Sequence, residues 1–144
     1  MAPLTTGNSG GIYNQGSGCG GGYCHGSNTN AVVSMSGQPA SYTPGQSYTL
    51  SISVTGGASG NNGGFSLDVS KGTLSAGIGF AVNVNNAQDS ATHSITGSSQ
   101  RSWSIDWIAP STGSGVAVLD LAGNAADGNG GNGGDNWDAI SIQI

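Results

Sequence analysis

The sequence is short of charge, and none of its residues is glutamate. Of 144 residues, two are basic (Lys71 and Arg101) and seven are acidic, all of them aspartate. Glutamate, lysine and arginine are among the residues from which exposed helices are usually built, so their scarcity argues against a helical protein. A chain with two cationic side chains has no polybasic surface, which argues against nucleic acid and anionic membranes as partners.

Long hydrophobic runs are also missing. No apolar stretch approaches the ~20 residues that cross a bilayer, so we expect no membrane insertion. The opening residues, MAPLTTGNSGG, lack the basic start and apolar stretch of a signal peptide. The low lysine content and abundant Gly, Ser, Asn and Thr predict a secreted or cell-surface protein, here in its mature form. A weakly charged coat has little self-repulsion, which predicts self-association.

The residues that are abundant favour strands and turns. The stretch SYTLSISVT (47–55) alternates strictly, with Tyr48, Leu50, Ile52 and Val54 on one face and Ser and Thr on the other. Shorter runs of strand type follow with turn signals about every ten residues. The other predicted strands are 31–36, 65–70, 72–76, 80–85, 91–96, 102–109, 116–123 and 139–144. The fold predicted for residues 31–144 is an all-β, antiparallel, immunoglobulin-like sandwich of about 8–9 strands.

The first thirty residues form a different region. Residues 1–30 are Gly-, Asn- and Ser-rich, have no alternating apolar pattern and carry both cysteines. Such a segment cannot bury a core of its own. We therefore predict an irregular N-terminal arm, which could add a strand to a neighbouring molecule.

The arm contains GCGGGYCHGS (18–27), in which Cys19 and Cys24 flank four residues and His25 follows directly. Two thiols and an adjacent imidazole are the groups that attach haem c and bind its iron. A disulfide that closes a small hairpin is equally compatible with two cysteines in an exported domain. With His93, the same residues also make a formal Cys2His2 set for zinc. The motif alone leaves these three interpretations open.

His93 matters because the chain has only two histidines. Six-coordinate haem iron needs a second axial ligand beyond His25. In the predicted strand ATHSIT (91–96), alternation puts Ala91, His93 and Ile95 on one face. A lone histidine among apolar neighbours is more often part of the packing than a ligand. His93 is nevertheless the one other imidazole that could complete the coordination of the haem iron.

From Cys19 to the C-terminus the chain resembles the bacterial extracellular Reeler-like domain called choice-of-anchor V. The matching blocks are SGQPASYTPGQSYTLSISVT (36–55), THSITG (92–97), SWSIDWIAP (102–110) and LAGNAADGNGGNGGDNWDAISIQI (121–144). Members open with a Gly-rich Cys-x-x-Cys-His segment, where this chain has four intervening residues. The resemblance implies a Reeler-like sandwich, and it implies that Cys19, Cys24, His25 and His93 belong together around a haem.

These observations predict an extracellular monohaem c-type cytochrome for electron transfer. Cys19 and Cys24 would hold the haem covalently, His25 would be its proximal ligand, and His93 its distal ligand in the same or a neighbouring chain. One haem per chain carries current only between redox partners or along a filament of copies with haems in a row. The alternative prediction is a structural or adhesive cell-surface module with a Cys19–Cys24 disulfide and no redox role.

A second metal site is predicted more weakly near the C-terminus. GGNGGDNWD (130–138) fits one copy of the nonapeptide of calcium-binding β-rolls, and Asp127, Asp135 and Asp138 could together bind one Ca²⁺. The competing interpretation is a Gly/Asn-rich loop before the last strand. No nucleophile elbow is present, and the missing glutamate removes the usual paired carboxylates, so we expect no enzyme activity.

Overall fold

The structure is a computed structural model that describes residues 30–131 and 133–144. Those residues form nine strands and one 3₁₀ turn. In chain order the strands are β1 (Ala31–Ser36), β2 (Ser47–Gly56), β3 (Gly63–Val69), β4 (Thr73–Ser75), β5 (Val82–Val84), β6 (Ser90–His93), β7 (Ser102–Ile108), β8 (Val118–Ala125) and β9 (Asn136–Gln143). The 3₁₀ turn, Thr96–Ser99, precedes β7.

The strands form two antiparallel sheets. One has four strands in the order β1-β2-β7-β4, and the other has five in the order β5-β6-β3-β8-β9. The predicted all-β antiparallel sandwich is thus confirmed. In the described part of the chain no helix is both long and apolar enough to cross a membrane. Residues 1–29 of the predicted arm lie outside the described residues.

Period-2 alternation builds the core, as the sequence predicts. Leu50, Ile52 and Val54 of β2 are at most 2% exposed, because they face the opposite sheet. Strand β7 supplies its two tryptophans to the same layer. Each indole N–H donates to a loop carbonyl, Trp103 to Gly97 at 2.9 Å and Trp107 to Lys71 at 2.9 Å. Large aromatic surfaces are therefore buried without an unpaired donor.

The predicted strand 91–96 is too long. β6 ends at His93, and Ile95 adopts helical dihedrals before the 3₁₀ turn, with 59% of its surface exposed. The chain turns because Gly97 lies against the Ala81 carbonyl, where a Cβ would come within 2.1 Å of the oxygen. The predicted apolar face of Ala91, His93 and Ile95 is therefore wrong at Ile95.

The last strand starts earlier than its apolar pattern. Asn136 and Asp138 are polar and precede the predicted strand 139–144, yet Asn136 pairs with Ala125 and Asp138 with Gly123 in continuation of the ladder. Ladder hydrogen bonds come from the backbone, so a polar stretch joins a sheet where its partner strand continues. The alternation of apolar residues, which begins at residue 139, therefore does not predict the first part of β9.

Gly123 in β8 lets the two sheets approach closely. A Cβ at this position would lie 2.6 Å from Cγ2 of both Val33 and Val54 on the facing sheet. We expect Gly123→Ala to overpack this contact and to lower the free energy of unfolding by about 1–3 kcal/mol. Urea denaturation measures the change. Gly133→Ala is the matched control, since a methyl group at that position would have nothing within 4 Å. Equal effects of the two substitutions would contradict the packing argument.

Candidate functional site

The outer face of the four-stranded sheet is covered with hydroxyl groups. Alternation that sends apolar side chains inward sends mostly serine and threonine outward on β1, β2 and β7, with Val32 and Ile108 as exposed apolar exceptions. Most of these side chains are exposed. The outward residues include Ser34, Ser36, Thr49, Ser51, Ser53, Ser102 and Ser104. The sequence shows the alternation of β2, but the assembly of three such strands into one surface is a result of the topology.

Strand register arranges these hydroxyls in rows across the sheet. One row runs Ser34, Ser53, Ser102 and the next runs Ser36, Ser51, Ser104. Sheet geometry spaces such residues about 4.8 Å apart across strands and about 7 Å apart along them. Within the first row, Ser34 Oγ and Ser53 Oγ are 2.8 Å apart. Because a hydroxyl both donates and accepts, the face offers both kinds of group to a partner.

One carboxylate interrupts this face. In the third row, Asp106 of β7 lies between Thr49 of β2 and Ser75 of β4. Thr49 Oγ1 donates to Asp106 Oδ1 at 2.6 Å, so the carboxylate has a partner within the sheet. The rows of serines beyond it carry no charged side chain. The face therefore suits a neutral partner better than an ionic one.

The loop that joins β4 to β5, residues 76–81, stands beside the hydroxyl face and projects two large apolar side chains. Ile78 is 109% exposed and Phe80 is 87% exposed relative to reference side chains. Gly77 and Gly79 have φ values of +66° and +127°, which let the loop turn sharply around Ile78. The sequence pattern does not reveal this feature, because it places Phe80 in a predicted strand. The signal present in the sequence is the short GIGF stretch with its two glycines.

The base of this loop is fixed by hydrogen bonds. Ser94 N–H donates to the Ala81 carbonyl at 2.9 Å, and Ser94 Oγ donates to the Phe80 carbonyl. Gly97 N–H in turn donates to Ser94 Oγ at 3.1 Å. Both the backbone and the side chain of Ser94 therefore hold the base of the loop. The fold itself keeps the apolar tip of the loop exposed to solvent.

An open groove of about 480 Å³ lies between the loop and the hydroxyl face. Its floor includes serines of β1, β2 and β7, and its other lining comes from apolar side chains such as Ala76, Ile78 and Val82. The described residues that line it include no charged side chain. This groove, its floor and the projecting loop are together called the groove surface below.

His93 lies at the end of β6, where this strand diverges from β3. Its Nδ1 accepts a hydrogen bond of 3.2 Å from the Phe65 N–H, at the point where β6 no longer supplies a backbone acceptor. The ring also packs on Gly64, where a Cβ would approach Cε1 to 2.5 Å. Thr92 Oγ1 also lies 3.3 Å from this nitrogen, so the Nδ1 side of the ring is turned toward the fold.

The three aspartates of the predicted calcium site serve as acceptors for the backbone. Asp135 Oδ1 accepts from Asp127 N–H at 3.0 Å, and Asp127 Oδ1 accepts from Asn129 N–H at 3.0 Å. Asp138 Oδ2 accepts from Val33 N–H at 3.0 Å, so it caps the outer edge of β1. Carboxylates divided between a loop and the edge of another sheet do not converge on one ion.

A pair of carboxylates meets on the outer face of the five-stranded sheet. Asp68 of β3 and Asp120 of β8 are direct cross-strand neighbours. Burial raises the pKa of Asp68 above its ordinary value of 3.8, the Ser90 hydroxyl opposes this, and the charges of Asp120 and Asp89 add to the rise. Like charges placed opposite each other in this way destabilise the sheet.

This pair predicts a pH dependence of stability. Since the folded state holds the Asp68 proton more tightly than the unfolded state, the free energy of unfolding falls as pH rises from about 3.8 through the raised pKa. We expect Asp68→Asn to be more stable than the wild type by about 0.5–1 kcal/mol at pH 7. The gain should vanish near pH 3, where wild-type Asp68 is protonated. Urea denaturation at both pH values checks this, and a gain that persists at pH 3 would assign the effect to packing.

A second prediction concerns His93. His93→Ala leaves the buried Phe65 N–H without its imidazole acceptor, so we expect a loss of about 1–3 kcal/mol in the free energy of unfolding. Ser141→Ala, at an exposed position of β9, is the control and should stay within about 0.5 kcal/mol of the wild type. A His93→Ala protein as stable as the control would show that the imidazole does not support the strand.

Similarity to known proteins is confined to solved structures. No protein-family model matches the chain, and no curated protein matches it. Two crystal structures of the human F-spondin reeler domain align over 81% of this chain and 91% and 92% of theirs, with TM-scores of 0.53 and 0.55 at 18% identity. The Reelin-N domain of F-spondin aligns over 81% of this chain and 88% of its own, with a TM-score of 0.53 at 20% identity.

The haem c and Ca²⁺ predictions are wrong. Among residues 30–131 and 133–144, no three or more His, Cys, Asp or Glu side chains group so that they could hold a metal ion. The similar structures are reeler domains, not cytochromes. His93 and the aspartates are engaged in the fold, while Cys19, Cys24 and His25 lie outside the described residues. The described sandwich has the fold of a reeler domain.

Proposed function

We propose that this chain is a structural and adhesive module of the cell surface, without enzymatic or redox activity. The observation that carries the proposal is the groove surface, on which rows of exposed serines adjoin two projecting apolar side chains. Large apolar side chains that are exposed together beside a polar surface are typical of interaction sites. Adhesion needs such a surface and needs no reacting group.

The composition supports an extracellular location. A coat of Ser, Thr, Asn and Gly with almost no lysine is the pattern from which we predict export, and the reeler-type fold agrees with a module of this kind. In this proposal Cys19 and Cys24 form a disulfide, which is common where small domains meet an oxidising environment. Self-association through a weakly charged surface remains part of the same proposal.

The environment of the polar residues supports a non-enzymatic role. His93 is the one imidazole among the described residues, and it serves as an acceptor for Phe65 N–H. Asp106, the carboxylate on the hydroxyl face, accepts from Thr49. In the proposal both residues support the sheets, His93 between β6 and β3 and Asp106 between β7 and β2.

Deletion and complementation in the producing organism tests the proposal. We expect antibody to label intact, unpermeabilised cells, and we expect deletion to reduce cell attachment or aggregation at least several-fold. Wild-type protein should restore attachment, whereas Ser51→Asp/Ser104→Asp should not, because two carboxylates desolvate poorly at a contact. Ser141→Asp/Gln143→Asp, on the exposed part of β9, is the matched control and should restore it.

Two results would contradict the proposal. Labelling that requires permeabilised cells would place the protein away from the cell surface. Full attachment by the Ser51→Asp/Ser104→Asp strain, with the protein present at wild-type amounts, would show that the hydroxyl face makes no contact.

A further inference from the structure

The outer faces of the two sheets differ in their exposure to solvent. On the four-stranded sheet, β1 alternates between buried and exposed residues, as expected for a sheet with one face in water. On the five-stranded sheet, β3, β6 and β8 contain no exposed residue on either face. The outward residues Ser66, Thr92, Ala122 and Asn124 are each at most 7% exposed, and Ala122 is buried although it lies outside the hydrophobic core. The middle of this outer face is therefore covered.

None of the nine described strands lies over the outer face of the five-stranded sheet. Each strand belongs to one of the two sheets, and the four-stranded sheet packs against the inner side. Gly123, the neighbour of Ala122, meets Val33 and Val54 on that inner side. The cover therefore comes from outside the two sheets.

The β2–β3 and β8–β9 loops, which adjoin this face, are bound at the end of the sandwich. Arg101 precedes β7 of the four-stranded sheet, and its carbonyl accepts from Val54 N–H. Its guanidinium donates to the carbonyls of Asn62 at 2.9 Å, Ala58 at 2.5 Å and Ala126 at 3.3 Å. Both loops are thus bound to the start of a strand in the other sheet.

Residues 1–29 join the described chain beside the five-stranded sheet. A Cβ at Gly56 would come within 2.1 Å of the Asn30 carbonyl oxygen, so the chain enters β1 against Gly56. A Cβ at the next residue, Gly57, would come within 2.9 Å of Asn136 Cβ, and Asn136 is the first residue of β9. The preceding segment therefore starts at the edge of the covered face.

Along β8 and β9, burial of the outer face decreases with distance from this entry point. Asn124, which pairs with Trp137 near the start of β9, is buried. Asp120, which pairs with Ser141 further along, is half-buried, and Ser141 itself is exposed. A cover that begins at the start of β9 accounts for this gradient.

We propose that residues 1–29 pack on the outer face of the five-stranded sheet of their own chain and cover the outward residues of β6, β3 and β8. Five strands span about 19 Å, which about six residues of extended chain can cross. A segment tethered at Asn30 is present at a high effective concentration, which favours it over a free partner of equal affinity. The inference goes beyond the proposed function, since the hydroxyl rows of the groove surface lie on the other sheet.

The composition of the segment suits the face that it would cover. The outward side chains Ser66, Thr92 and Ala122 are small, so the middle of the face is flat. Residues 1–29 are rich in glycine, serine and asparagine, and a backbone with little side-chain bulk can approach such a face closely. The hydroxyl groups of the face can donate to and accept from that backbone.

Photocross-linking of the full, natively exported chain tests the inference. With p-benzoylphenylalanine in place of Tyr13 or Tyr23, in a mixture of ¹⁴N- and ¹⁵N-labelled protein, we expect cross-links within one chain to residues 64–66, 92 or 122–124. The same replacement at Tyr42, whose ring contacts Trp107, is the control and should give no cross-link to this face.

Two cross-linking results would overturn the inference. Cross-links from positions 13 and 23 that avoid the outer face of the five-stranded sheet would show that something else covers it. Cross-links to this face that join ¹⁴N- to ¹⁵N-labelled chains would show that the segment belongs to a neighbouring molecule.

A substitution on the covered face gives a second test. Ala122→Asp would place a carboxylate beneath the segment, so we expect the segment to be released and chymotrypsin to cleave after Tyr13 and Tyr23 at least tenfold faster. Ala122→Leu, which adds bulk without charge, should act in the same direction. Ser141→Asp, on the exposed part of the same face, is the matched control and should leave the cleavage rate unchanged.

Tryptophan fluorescence during thermal unfolding checks that each variant keeps its folded sandwich, since Trp107 is fully buried. Cleavage at the wild-type rate in both folded Ala122 variants would contradict the inference. So would faster cleavage in Ser141→Asp that matches that of Ala122→Asp, because the effect would then be one of charge alone.

Discussion

The hydrogen bond from the Trp103 indole to the Gly97 carbonyl is the interaction on which the functional surface depends. It buries the indole in the core and fixes the 3₁₀ turn at the same time. The turn brings Gly97 against the Ala81 carbonyl and Ser94 against the Phe80 carbonyl. A contact in the core thereby sets the position of an apolar loop on the surface. The indole donor thus adds to the Ser94 and Gly97 hydrogen bonds that hold the turn and the loop.

The low charge of the chain shapes the surface in a second way. Edge strands in many proteins are protected from unwanted pairing by lysine, which this sequence almost lacks. Here the Asp138 carboxylate accepts a hydrogen bond from the Val33 N–H at the edge of β1. The His93 imidazole accepts one from the Phe65 N–H, where β6 diverges from β3. Side chains with the chemistry of metal ligands are thus employed in ending or covering strands. The scarcity of charge leaves few other charged side chains for this task.

The misassigned metal sites share one physical cause. Residue type and spacing describe which groups could bind an ion, but binding requires that their lone pairs converge and remain unused. The lone pair of His93 Nδ1 is taken by a backbone donor, and the three aspartates accept from donors in different elements. The mutual placement of these elements follows from strand order in the sheets, which local sequence does not state.

The sequence by itself determined the β architecture, the alternating core and most strand positions. These depend on local period-2 patterns and on turn residues, as the buried faces of β2 and β7 illustrate. Only the tertiary structure decided where β6 ends, that the serines of β1, β2 and β7 form one face, and that Ile78 and Phe80 project beside it. These features arise from contacts between residues far apart in the chain, such as Ser94 with Ala81 and Trp103 with Gly97. Their energies depend on packing that no single stretch of sequence contains.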